Sequence, residues 1–307
     1  MNILITGACG HIGSYLTENI YRIKNIKKVI LIDDLRSGRI NTLFNSKKKN
    51  NLKFYQRDIS KKNSLNFLKN VNVIIHLASL TNAAGSFKVR KHMYANNLNC
   101  FRNVLNFCIK NNSKLIHISS SSVYGKPTDL VWEDSGNKFL KPQSPYADIK
   151  LKEERILMKN KNKLKFVSYR FGTIAGISKG MRFHTAVNKF CLDASLDKPI
   201  EIYQTALNQY RPYLSLKDSF EVFKFSIEKN LFNNEIYNAL SGNFTVKDII
   251  KKIKKYKKKV KIKFIKSKIT NRLSYHVSSI KLEKSGLTLK NNLDKDIKDT
   301  LYLLKNI

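Results

Sequence analysis

Only four cysteines occur in this chain of 307 residues, Cys9, Cys100, Cys108 and Cys191, with neither paired spacing nor a histidine arrangement suited to a metal. Their scarcity argues against a disulfide scaffold and points to reduced thiols in a cytoplasmic enzyme. No stretch of eighteen or more apolar residues is present, so no membrane-spanning helix is expected. With a strand pattern beginning at residue 2, no signal segment is expected. Internal repeats and low-complexity linkers are also missing. Acidic residues are the largest shortage: 22 Asp+Glu stand against 58 Lys+Arg, for a net charge of +36. Such an excess can draw nucleic acid, anionic membrane or an acidic ligand. Here, however, lysine is mixed with asparagine and isoleucine along the whole chain, which reads as compositional drift on solvated faces. The densest run, Lys251 to Lys268, holds eleven lysines. Its apolar rhythm (Ile249, Ile250, Ile253, Tyr256, then Val260, Ile262, Phe264) predicts a packed helix followed by a strand.

What is present is a globular composition, 42% apolar, in a chain long enough for one large core or two domains. The first half alternates strand and helix, which predicts a parallel sheet covered on both faces. Strands are expected at Asn2–Thr6, Lys28–Asp33, Leu52–Gln56, Val71–His76, Lys114–Ser119 and Lys165–Phe171. Helices are expected at His11–Arg22, Arg39–Asn45, Lys61–Leu68, Val89–Lys110 and Ser144–Lys159. After Gly176 the rhythm loosens. A helix at Phe183–Ala194 and a strand at Ile200–Tyr203 precede a strand–helix–strand (Tyr213–Leu216, Asp218–Lys229, Glu235–Ala239) expected to rejoin the sheet. The remainder forms a smaller α+β unit.

The first chemical signal is at the start. The apolar run Ile3–Ile5 breaks into Gly7, Gly10 and Gly13 and leads directly into a helical pattern. Glycines so spaced permit a tight turn, close approach of a pyrophosphate to backbone and close helix–strand packing. The helix that follows points unpaired N–H groups at the phosphates. The run Lys28–Asp33 reads as a second buried strand ending in a carboxylate twenty residues after Gly13, where a dinucleotide-binding unit holds the adenosine ribose.

Two further stretches carry reactive groups. The strand Leu115–Ser119 runs into Ser120, Ser121 and Ser122 before Val123-Tyr124-Gly125, and in a doubly wound sheet ligands bind at the carboxyl ends of the strands. Pro145 suits the first turn of a helix capped by Ser144, which puts Tyr146 and Lys150 four apart on one face. An ammonium beside a phenol favours phenolate and is expected to lower its pKa, making a base that takes a proton from a sugar hydroxyl as hydride leaves the same carbon.

Taken together, Thr6-Gly7-x-x-Gly10-x-x-Gly13, Asp33, Asp58-Ile59, His76-Leu77-Ala78, Asn97, the serine run before Val123-Tyr124-Gly125, and Tyr146-x-x-x-Lys150 resemble the extended short-chain dehydrogenase/reductases, more narrowly the NAD-dependent epimerase/dehydratase branch acting on nucleotide sugars. The resemblance implies a Rossmann-type doubly wound α/β fold with a smaller α+β C-terminal substrate domain. It implies a cofactor domain of residues 1–172 plus about 211–240, and a substrate domain of about 173–210 plus 241–307. Gly7, Gly10, His11 and Ile12 would seat the pyrophosphate of NAD, and Asp33 the adenosine ribose, its charge disfavouring a 2′-phosphate. Asp58 and Ile59 would lie at the adenine, Leu77 and Ala78 along the cofactor, and Asn97 behind the catalytic hydroxyls. Ser120, Tyr146 and Lys150 would form the catalytic set, with Lys150 also bonding the nicotinamide ribose. Ser122, Thr173, Asn188, Arg211 and Arg272 would meet the substrate, the two arginines by clamping its diphosphate. A homodimer through Val89–Lys110 and Ser144–Lys159 is expected on the same ground.

Departures refine the reading. Cys100 and Phe101 replace the family's usual Gly-Thr, and Ile149 replaces a usual Ser or Thr, which bears on helix packing. Dehydratases of this branch carry Asp-Glu after the catalytic hydroxyl residue; here those positions are Ser121-Ser122. This disfavours 4,6-dehydration and leaves epimerisation, most naturally at C4 of a UDP-hexose. A nucleotide-sugar ketoreductase or dehydrogenase with the same triad is the alternative. A non-catalytic basic module binding nucleic acid is a third reading, which the complete catalytic set disfavours.

Overall fold

The computed structural model describes residues 1–44, 51–81, 85–125, 130–266 and 274–305. Strand β1 (Asn2–Thr6) runs into helix α1 (His11–Asn19). Then follow β2 (Lys28–Asp33), β3 (Leu52–Gln56), β4 (Val73–His76), α2 (Arg90–Asn111), β5 (Lys114–Ser120), β6 (Leu130–Val131), α3 (Pro145–Lys159) and β7 (Phe166–Phe171). The second half contains β8 (Thr173–Ala175), α4 (Ala186–Ser195), β9 (Ile200–Tyr203), β10 (Tyr210–Ser215), α5 (Leu216–Glu228), β11 (Glu235–Ala239) and β12 (Gly242–Thr245). It closes with α6 (Val246–Tyr256), β13 (Ile262–Ile265), β14 (His276–Val277), α7 (Ile280–Lys284) and α8 (Leu293–Leu303).

Among the described residues seven parallel strands form one sheet in the order β11–β7–β5–β4–β1–β2–β3. Its central strands β1, β2 and β4 read as continuous apolar runs because both faces are covered. Ile3, Ile5, Val29 and Leu31 meet Leu16 of α1 and Phe220 and Phe223 of α5 on one face. Leu4, Ile30, Ile32 and Ile74 meet Phe101, Val104 and Cys108 of α2 on the other. Winding direction reverses between β1 and β4, where Thr6 pairs with His76, so the crevice at their carboxyl ends is where such a sheet binds ligands. A third core, with Val187, Phe190, Ile249, Ile253 and Ile297, joins α4, α6 and α8 beyond the sheet. Among the described residues no helix is long and apolar enough to cross a membrane.

Several expectations are corrected. The strand expected at Tyr213–Leu216 is β10, and it does not rejoin the large sheet; it pairs parallel with β8 and antiparallel with β12 in a separate three-stranded sheet. β11 does rejoin it, beside β7. Lys61–Leu68 is a series of turns because Asn63 takes a left-handed φ of 59° and interrupts the helical path. Of the helix expected at Arg39–Asn45, the described residues form a 3₁₀ turn over Ile40–Leu43, and Asn45 lies outside them. The lysine-rich run does give a helix and a strand, and α6 buries Ile249, Ile250 and Ile253. Phe264 of β13, however, is 54% exposed, so that strand contributes little to the core.

Candidate active site

The turn after β1 is built by backbone proximity. Gly10 caps α1 in extended conformation, and Ser14 N–H bonds Gly10 O at 2.8 Å. A Cβ on Gly13 would stand 2.2 Å from Gly7 O, so only glycine lets α1 start this close to the turn. Thr6 Oγ1, 2.8 Å from His76 Nδ1, also receives the N–H groups of Leu77 and Ala78 at 3.2 and 3.3 Å. One threonine therefore ties both sides of the crevice together.

In front of the turn opens a cavity of about 330 Å³, lined by Gly7, Gly10, Asp33, Asp58, Ile59, Leu77 and Ala78 among others. Seven residues expected at the cofactor thus do share one cavity. Asp33 accepts Cys9 N–H at 3.0 Å and Leu35 N–H at 2.9 Å; burial pushes its carboxyl above the ordinary value despite those bonds. Arg36 is held by Asp34 at 2.5 Å, by Asp58 at 3.6 Å and by Asn96 at 2.8 Å. Burial raises the Asp58 carboxyl, but Ser60 and Arg36 outweigh it and leave the group below its ordinary value.

Other expected residues turn their side chains elsewhere. Asn97 is fully buried and spends its amide on Leu80, accepting N–H at 2.8 Å and donating to C=O at 3.0 Å; its neighbour Asn96 lines the cavity instead. Ile12 packs its side chain into the core beneath α1. His11 turns away from the cavity, with Nδ1 2.8 Å from Ser178 Oγ and Nε2 3.4 Å from Asn188 Nδ2. Burial, with Arg182 and Arg39 nearby, drives its imidazole down to about 3, so it is neutral. Asn188 is fully buried, its amide shared among Gly176, Arg182 O and His11. Both side chains hold the β8–α4 loop onto the glycine turn. Gly180 completes that junction: its N–H bonds Ser14 Oγ at 2.9 Å, and a Cβ there would stand 2.6 Å from the carbonyls of Cys9 and Gly10.

Arg182, carried by the same loop, had no sequence signal. It lines the cavity beside Gly10, donates to Thr81 Oγ1, and keeps a buried Nε without a partner among the described residues.

At the other end of the crevice, α3 packs on the end of β5 and the turn Ser121–Tyr124. Ser144 caps α3, accepting Ala147 N–H at 3.2 Å, and Pro145 occupies its first turn. Ser120 Oγ lies 2.8 Å from Ser122 Oγ and accepts Ser122 N–H at 3.2 Å. Lys150 is buried one turn after Tyr146, and its Nζ bonds Glu153 Oε2 at 2.8 Å. The expected lowering of the Tyr146 phenol is not the net result. Burial pushes it above its ordinary value, Glu153 adds to the rise, and Lys150 and Arg182 oppose it. The ammonium is not free to act on the phenol alone.

Thr173 begins β8 and pairs with Tyr213, and Arg211 pairs with Phe244 across β10 and β12, so both lie on the three-stranded sheet. Arg272 lies outside the described residues.

Comparison with known proteins agrees with this architecture. The model of the NAD dependent epimerase/dehydratase family matches residues 3–239. A trifunctional UDP-glucose 4,6-dehydratase/UDP-4-keto-6-deoxy-D-glucose 3,5-epimerase/UDP-4-keto-L-rhamnose-reductase of Arabidopsis thaliana is 27% identical over 98% of this chain. The chain spans only 46% of that relative's length. A UDP-glucuronic acid 4-epimerase from Bacillus cereus, solved with UDP-glucuronic acid and NAD, superposes with TM-score 0.85 at 26% identity, covering 99% of this chain and 100% of the other. A UDP-N-acetylglucosamine 4-epimerase from Methanobrevibacter ruminantium shares the fold, with TM-score 0.86 at 24% identity over 98% and 97% of the two chains. The chain belongs to the NAD-dependent epimerase/dehydratase family, whose cofactor is NAD.

Proposed function

We propose that the chain is a nucleotide-sugar epimerase acting at C4 of a UDP-hexose through a transient 4-keto sugar. The observation that carries this reading is the set of groups around Ser120. Dehydration across two sugar carbons needs a further acid and base. Ser121 and Ser122 follow Ser120 directly, and the α3 carboxylates that reach β5, Glu153 and Glu154, are buried and paired with Lys150 and Arg170. Epimerisation at C4 needs no such extra pair. The likeness to UDP-sugar 4-epimerases supports the same choice.

The residues fit a bound dinucleotide. The N-terminus of α1 faces the cavity, Asp33 ends β2 beside it, and Arg182 Nε offers a buried donor with no acceptor among the described residues. Bound NAD supplies a hydride acceptor and then a donor. Asp33 would hold the adenosine ribose hydroxyls, and Lys150 the nicotinamide ribose. Tyr146 takes the C4 hydroxyl proton and returns it after the ketone has turned in the pocket. Ser120 holds the oxygen in line, and Ser122 orients Ser120. Thr173, on β8, and Arg211, on β10, would meet the sugar nucleotide.

The purified protein should interconvert a UDP-hexose pair without added nicotinamide and with no net change in NADH absorbance. Tyr146→Phe should reduce turnover about 10²–10⁴-fold while keeping bound NAD. Steady NADH formation or consumption would instead favour the ketoreductase or dehydrogenase reading.

A further inference from the structure

The Lys150 side chain belongs to a buried array that the catalytic motif does not include. Glu153 Oε2, which accepts Lys150 Nζ at 2.8 Å, also lies 3.0 Å from His117 Nε2. His117 Nδ1 lies 2.8 Å from Ser168 Oγ. Lys150 is 3% exposed, Glu153 1%, and His117 and Ser168 are fully buried. We propose that Glu153, oriented by His117, is a positioning residue that cancels part of the Lys150 charge and keeps Tyr146 a neutral phenol until positive charge enters the cleft with the oxidised cofactor. The proposal rests on Tyr146 as acid and base, but its primary test needs no substrate.

The geometry separates a counter-charge from a proton route. The array runs inward from α3 to β5 and ends on β7 at Ser168, which has no exposure to solvent. A proton entering it has nowhere to leave. Burial holds the His117 imidazole below its ordinary value, so neutral His117 donates from Nε2–H to Glu153 and accepts the Ser168 hydroxyl at Nδ1. That fixes its tautomer and aims the carboxylate at Lys150.

The groups facing the array are few. Tyr146 faces Lys150, Glu153 and Arg182. Lys150 faces Glu153, Tyr146 and Cys100 of α2. His76 of β4 faces Lys150, Glu153 and His117, and burial drives it down to about 3, so it is uncharged. Glu154 faces His117 but is paired with Arg170. Burial already favours the neutral phenol, and an unopposed buried ammonium would pull it further toward phenolate. An epimerase needs both forms in turn: base while the alcohol is oxidised, acid while the ketone is reduced. A neutralised lysine makes that change depend on charge brought into the cleft.

The test is an ultraviolet phenolate titration of the full-length protein, with Tyr146 isolated as the difference between the parent and Tyr146→Phe. In Glu153→Gln the Tyr146 phenolate should appear about one pH unit lower or more, and the acidic limb of the activity profile should move the same way. A titration that superposes on the parent, or moves upward, overturns the proposal. If Glu153→Gln does not fold because an ammonium is left unpaired, the same change is made in a Lys150→Met background. There the phenolate should again appear at lower pH than in Lys150→Met alone, and equal titrations would overturn the proposal.

Discussion

Arg170 and Glu154 meet fork to fork across the interior, Nε to Oε1 at 2.9 Å and Nη2 to Oε2 at 2.8 Å. Arg170 Nη1 also donates to Tyr124 Oη at 2.8 Å, Tyr124 donates to Asn238 at 2.8 Å, and Ser119 donates to Glu154 at 2.5 Å. The pair thereby joins α3, β5, β7 and β11 directly beneath the reacting end of the crevice. Glu154→Gln or Arg170→Met alone should destabilise the fold by about 3–5 kcal/mol, because each leaves a buried charge uncompensated. The double replacement should cost less than the sum of the two. Urea denaturation of the three variants measures this.

Gly13→Ala should damage the cofactor seat before anything else. The new methyl would collide with Gly7 O and with Ala8 backbone, none of which can rotate away. Helix α1 must then move off the turn, at a cost of about 1–3 kcal/mol or more. The NAD content of the purified protein should fall sharply, together with its thermal unfolding temperature.

The crevice as a whole was readable from sequence because its parts are local. A glycine turn, a strand-ending carboxylate and a Ser-Pro helix cap each declare themselves within a few residues. Glu153 did not, since a glutamate three residues after a lysine usually marks a solvated helix face; only packing against β5 makes it a buried counter-charge. The side-chain partners of His11 and Asn188 were hidden for a related reason. Their residue types suit a ligand, yet the fold brings them to each other across 177 positions. β10 looked like another core strand, and pairing partners in β8 and β12, far away along the chain, decided its sheet.

Asp33→Ser should shift the cofactor preference toward NADP. Arg36 is engaged by Asp34 and Asp58 and by Asn96, while Arg39 lines the same cavity. Removing the carboxylate takes away the repulsion of a 2′-phosphate and leaves cations beside it. Calorimetric titration should show the ratio of NAD to NADP affinity falling by about tenfold or more, roughly 1.4 kcal/mol.

Asp296 sets a pH dependence of stability. It is 2% exposed, one oxygen has no partner among the described residues, and burial pushes its carboxyl up to about 6 although Lys217 stands 3.3 Å away. An unfolded aspartate titrates near ~3.9. Between roughly pH 4 and 6 the folded chain therefore holds a proton that the unfolded chain has released, and stability declines as pH rises through that window. Asp296→Asn should remove the decline and be more stable than the parent by about 1–3 kcal/mol at neutral pH. Urea melts of both proteins on either side of the window compare the slopes directly.

The loop between β8 and α4 lies backbone against backbone on the glycine turn, through Gly180, and is pinned there by His11, Ser14 and Asn188. In engineering language the two ends of the crevice are not separable cassettes. Exchanging this loop with that of a relative, to change which sugar is accepted, also exchanges the partners of the nucleotide seat. A graft should therefore carry positions 11, 14 and 188 along with residues 178–184.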